Sequence, residues 1–107
     1  MTPLVRRTPA EASAIALRSS LRDLDVTADV HVGHGIALVS VWVELLVWCD
    51  GFAYRWWSGR ISPVTGRRVY TTYSAESPGT VARALARRLT VLRETHPLSP
   101  VITELNP

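Results

Sequence analysis

A chain of 107 residues, 47% hydrophobic and 20% charged, has room for one domain and enough apolar material to bury a core without staples. The single cysteine, Cys49, excludes an internal disulfide and any cysteine-rich metal site, and the longest apolar run, Ile36 to Val43, is too short to span a membrane as a helix. A formal charge of +3 permits contact with nucleic acid or an acidic protein but is too small an excess to argue for either.

All 12 basic side chains are arginine, and lysine and glutamine are absent, a bias that GC-rich coding produces. Arginine usage therefore reflects codons as well as chemistry. The opening stretch MTPLVRRTPA has no apolar segment after its arginines, so no export is expected and the protein is assigned to the cytoplasm. Residues 1–7 are expected to be flexible.

Thr8-Pro9-Ala10-Glu11 reads as a capping box with proline at the first helical position, which starts a helix there. Ala14, Leu17, Leu21 and Leu24 follow at helical spacing, with Ile15 widening the stripe and Arg18, Arg22 and Asp23 off it. Next, Val26, Ala28, Val30 and Val32 alternate with Asp25, Thr27, Asp29 and His31, the period of a strand with one buried face. Gly33-His34-Gly35 supplies a hairpin turn. The run Ile36 to Cys49 is apolar on both faces and reads as one long central strand. It would stretch roughly 46 Å if straight, so a bulge or bend is expected near Ser40 to Glu44, the first half pairing backward and the second half forward.

Asp50-Gly51 is a strong hairpin signal that leads into FAYRWW, where Phe52, Tyr54 and Trp56 share one face and Ala53, Arg55 and Trp57 the other. A Gly- and Pro-containing loop follows, then the strand RVYTTY. Ser77-Pro78-Gly79 caps a second helix with the stripe Val81, Ala82, Leu85, Leu89 and Leu92, opposite Arg83, Arg87 and Glu94; His96-Pro97 ends it. The tail, residues 95–107, is expected to be extended, with VITEL able to lie on a sheet edge of this chain or a neighbour. The whole is expected to be one domain, 1–107, of α+β class: an antiparallel meander of three to five strands flanked by an N-terminal and a C-terminal helix.

In layout alone, helix, strands, helix resembles the double-stranded RNA-binding domain, but the lysine-rich start of that domain's second helix is replaced here by SPGTVARALARR. The motifs GIALVSVWVELLVWCDG, YRWWSGR and GRRVYTTY, between about Leu17 and Arg93, resemble small actinobacterial (high-GC) proteins that serve as accessories to regulatory genes. That resemblance implies an accessory role and brings no catalytic or binding residues with it.

The aromatic and arginine cluster is the main candidate for function. Trp42, Trp48 and Trp56 are read as core filler beneath alanine-rich helices. Trp57 shares its face with Arg55, which resists unpaired burial, so either exposure or burial stays open for it. A tryptophan among arginines is the mixture found at interface centres, which makes Arg55, Trp57, Arg60 and Tyr70 the interface candidates. The face remote from the helices must also cover Val39, Val41 or their neighbours, and two sheets packed across a twofold axis would do so.

The same residue types make a stacking platform for nucleic acid, with Arg55, Trp57, Arg67, Arg68, Arg83 and Arg87 as candidates; a codon-driven or solvated arginine face is the plainer account. His31, His34 and Cys49 are the candidates for an enzyme or small-molecule site, but they form an incomplete ligand set with nothing to activate the thiol. The expectation is a non-catalytic cytoplasmic accessory or regulatory protein, without cofactor or metal. It acts by protein binding as a homodimer through an aromatic sheet surface, with weak nucleic-acid contact and no membrane contact.

Overall fold

The structure, a computed structural model, describes residues 8–95. The expectations for residues 1–7, for the His96-Pro97 stop and for the VITEL tail lie outside them. The elements are α1 (Pro9–Arg22), β1 (Asp29–Val32), β2 (Ala37–Trp42), β3 (Leu45–Cys49), β4 (Ala53–Ile61), β5 (Arg68–Ser74) and α2 (Pro78–Thr95). The strands form one five-stranded antiparallel sheet in the order β1-β2-β3-β4-β5, so the fold is α+β with a meander between two helices.

The helix α1 starts as its capping residues dictate: Thr8 has extended backbone, and its Oγ1 accepts the Glu11 N–H at 3.1 Å. Its buried stripe is Ala10, Ser13, Ala14, Leu17 and Leu21. Leu24 lies beyond the helix end and is exposed, because the chain turns there through Asp25 at φ +60. The second helix continues through Thr95, one residue into the span expected to be tail, and buries the stripe Val81, Ala82, Leu85, Leu89 and Leu92.

The run Ile36 to Cys49 is not one long strand. A turn at Val43 and Glu44 folds it into β2 and β3, which pair with each other, and the ladder shifts register between Ser40 and Trp42. Neither turn residue has a positive φ, so the turn lacks the twist-matched primed geometry, and the bulge beside it takes up the difference.

Both helices cover the same side of the sheet. That side carries Ala37, Val39, Val41, Leu45, Val47, Cys49, Tyr54 and Trp56, all buried. Trp56 stacks on Tyr73 of β5 with ring centroids 5.4 Å apart and planes 2° from parallel. Tyr54 carries its hydroxyl through the core to donate to the Ser13 carbonyl of α1 at 2.6 Å, a bond between positions 41 apart. Trp42 packs against the core under Arg93 of α2, whose Cζ lies 5.3 Å from the ring centroid.

Two glycines are required where α-helices meet strand ends. At Gly51, φ is +94 and a Cβ would sit 2.5 Å from Pro9 Cβ, so the β3–β4 turn can touch the start of α1 only without a side chain. At Gly59, φ is +91 and a Cβ would collide with the Arg88 guanidinium of α2.

Candidate functional site: the helix-free sheet face

Alternation along the strands puts every second side chain on the face that neither helix covers. The register fixes its rows. One runs His31, Leu38, Trp48, Arg55, Thr72; beyond it Asp29, Ser40 and Leu46 are matched across β1–β3, and Trp57 and Tyr70 across β4–β5.

Trp48 is therefore not core. It is 45% exposed, while Trp56 on the opposite face of the neighbouring strand is 3% exposed. Val39 and Val41 lie under the helices, and the apolar groups of the open face are Leu38, Leu46 and Trp48, joined by Ile36 and Tyr70. Leu46 and Tyr70 are 41% and 45% exposed, so the middle of the face is a contiguous apolar surface.

Trp57 is half-buried, for a reason local to the β4–β5 hairpin. Arg68 lies over its ring with Cζ 4.2 Å from the centroid, and Trp57 Nε1 donates to the Arg60 carbonyl at 3.0 Å across the bulge that follows it. Arg60 and Arg67 are exposed beyond that bulge, and the Arg67 N–H donates to Thr65 Oγ1 at 3.2 Å. Arg55, Trp57, Tyr70 and Arg68 thus share one face, whereas Arg83 and Arg87 are exposed on α2, on the other side of the sheet. The nucleic-acid candidates do not converge.

A recess of about 420 Å³ opens on the face between Ile36, Trp48, Ala53, Arg55 and Tyr70, with Asp50 at its rim. A second, of about 300 Å³, lies toward β1 and is lined by His31, Val32, His34, Leu38 and again Ile36 and Trp48. The Asp50 carboxylate accepts the Phe52 and Ala53 N–H groups at 2.8 and 2.9 Å, which, with Arg55 adding less, holds its pKa below the ordinary carboxylate range.

His31 and His34 come to the same recess, while Cys49 points into the core. Burial pushes the Cys49 thiol up to about 12, opposed in part by Ser13, so it remains a neutral, unreactive thiol at physiological pH. Among the described residues no three His, Cys, Asp or Glu side chains gather as a metal site, and no helix is long and apolar enough to cross a membrane.

The residues that composition and spacing missed here are Leu38, Leu46 and Trp48. Their shared parity on β2 and β3 is the signal, and it becomes readable once the helices are known to lie over the odd-numbered positions. Comparisons of the chain with protein-family models, curated proteins and solved structures gave no match.

Proposed function

We propose that the protein is a non-catalytic cytoplasmic accessory protein that acts by binding protein, itself included, through the helix-free face of its sheet. The observation that carries this reading is the contiguous apolar surface of Leu38, Leu46, Trp48 and Tyr70 on a face that no other part of the described chain covers. Aromatic and aliphatic groups centred among arginines make the composition of a binding surface: apolar in the middle, with Arg55 and Arg68 beside it.

The two alternatives draw less support. Catalysis through Cys49 would need an exposed and ionisable thiol, and this one is buried and held protonated. A nucleic-acid platform would gather its arginines on one surface, and Arg83 and Arg87 are on the far side from Arg55, Trp57 and Arg68. The buried free cysteine also fits a reducing compartment.

Sedimentation velocity at micromolar concentration tests the reading. Self-association that Trp48→Asp abolishes, with the circular dichroism spectrum unchanged, is the expected result. A monomer with no dependence on position 48, or a dimer that Trp48→Asp leaves intact, would remove the face from consideration.

A further inference from the structure

We infer that the occupant of the open face is a second copy of this chain, docked sheet to sheet about a twofold axis that runs along β3, so that Trp48 and Leu46 meet their own counterparts. This rests on the reading that the face binds protein and adds the partner and the register.

The register follows from the order of the strands. In a five-stranded meander β3 is the middle strand. A twofold axis lying between two stacked sheets has two simple directions. Along the strands, it sets β3 over β3, β2 over β4 and β1 over β5. Across the strands, it sets each strand over itself, running the opposite way.

Charge selects between the two. The β1 edge of the face carries Asp29, and the β5 edge carries Arg68 at the end of the β4–β5 hairpin. Asp29 is matched with Ser40 and Leu46, on the same side of the His31–Thr72 row as Trp57 and Tyr70, and Arg68 is one outward-facing position further along β5 from Tyr70. The axis along the strands therefore places the acidic edge of each copy over the basic edge of the other, twice by symmetry. The axis across the strands places the edge that bears Asp29 over itself and the edge that bears Arg68 over itself, so like charges come near each other, which opposes association.

The apolar groups follow the same choice. Trp48 and Leu46 are on the axis, where an isologous contact buries each against itself. Leu38 of each copy faces the β4 strand of the other beside Arg55. Arg55 and Asp50 of the same chain both line the recess, so the charges there are of opposite sign.

Five strands at about 4.8 Å spacing, together 31 residues long, give roughly 490 Å² in flat projection, and corrugation by tryptophan, tyrosine and arginine side chains raises this toward the ~800 Å² per partner of a stable interface. Aligned sheets pack about 10 Å apart with a rotation of about 30° between them, which moves the edges more than the middle strand. The test is accordingly placed on β3.

Leu46→Cys in the full chain is treated with a bis-maleimide of about 8 Å span, which suits side chains facing each other across sheets ~10 Å apart. Native Cys49 is buried and serves as the unreactive background. The expected result is a covalent dimer from Leu46→Cys and none from Asp29→Cys, whose two copies lie on opposite edges roughly 20 Å apart in this register. A charge exchange supplies the second arm: Asp29→Arg and Arg68→Asp each weaken the dimer by about tenfold or more, and the double variant returns to within about threefold of the parent. A dimer sensitive to Trp48→Asp that cross-links through position 29 and not 46, or whose double variant is weaker than either single, overturns the register and leaves protein binding by the face standing. A monomer at all concentrations overturns both.

Discussion

Arg68 is stacked on Trp57, and Trp57 in turn is tied by its indole N–H to the Arg60 carbonyl, so the ring is held against its own hairpin from two sides. The two tryptophans of the RWW motif have separate tasks: Trp56 fills the core and Trp57 braces a bulge. Trp56→Ala is expected to cost ~3–5 kcal/mol of stability, as for a buried large aromatic. Trp48→Ala should cost less than about 1 kcal/mol and act on association instead, since its ring is in large part already in water. Urea unfolding of the two variants, each beside its sedimentation profile, separates the roles.

Gly59→Ala is expected to destabilise the protein even though the site is exposed. The backbone there is left-handed, and the new methyl would meet the Arg88 guanidinium, whose Nε has no hydrogen-bond partner among the described residues. Adding Arg88→Ala relieves the collision but not the dihedral strain. The double variant should therefore recover part of the lost urea midpoint, and about 1 kcal/mol of the strain should remain.

Alkaline pH should weaken the fold in two steps. Burial raises Cys49 from 9.0 to about 12 and Tyr54 from 10.0 to about 12, so both stay protonated in the folded chain after the unfolded chain has begun to ionise. A folded pKa above the unfolded one means stability that is complete below the unfolded value and is lost as pH climbs toward the folded value. The urea midpoint is thus expected to hold level up to pH 9.0 and to fall beyond it, with Cys49→Ala moving the onset toward 10.0, where Tyr54 begins. An onset unmoved by Cys49→Ala would mean that the thiol is not held neutral by the core.

Nucleic-acid binding is expected to be weak and to vanish near physiological salt, because the arginines are divided between two sides of the sheet and the net charge is only +3. Fluorescence anisotropy of short duplex DNA and single-stranded RNA across a salt series measures this. Sequence-selective binding that persists at about 200 mM salt and is lost in Arg67→Ala/Arg68→Ala would reverse the order of the readings.

The helices, the Thr8 cap, the Asp50-Gly51 hairpin and the meander were legible because each rests on local chemistry: a capping hydroxyl, a left-handed glycine, a stripe at helical spacing. The turn at Val43 and Glu44 was not. It contains no glycine, proline or asparagine, and the bulge before it keeps the buried positions at 37, 39, 41, 45, 47 and 49 all odd, so the period of two passes through the turn unbroken. The exposure of Trp48 was hidden for a related reason. A strand that is apolar on both faces does not say which face the helices will cover, and that is decided by Tyr54 and Gly51 contacting α1. Arg55, Trp57 and Tyr70 were found because arginine beside tryptophan is legible as chemistry without knowledge of the fold.

The Tyr54 to Ser13 bond also bears on how the chain reaches this state. Every strand pairing joins neighbours in sequence, so the sheet can zip up from short hairpins on the microsecond scale without closing a long loop. The Tyr54 to Ser13 bond is different, since it bridges 41 positions and cannot form before β4 is in place, whereas α1 also packs on β1, β2 and β3. That bond is then the late-arriving part of the contact between the first helix and the sheet. Loss of the tyrosine hydroxyl in Tyr54→Phe should leave the refolding rate nearly unchanged and accelerate unfolding, the signature of a contact made after the barrier has been crossed.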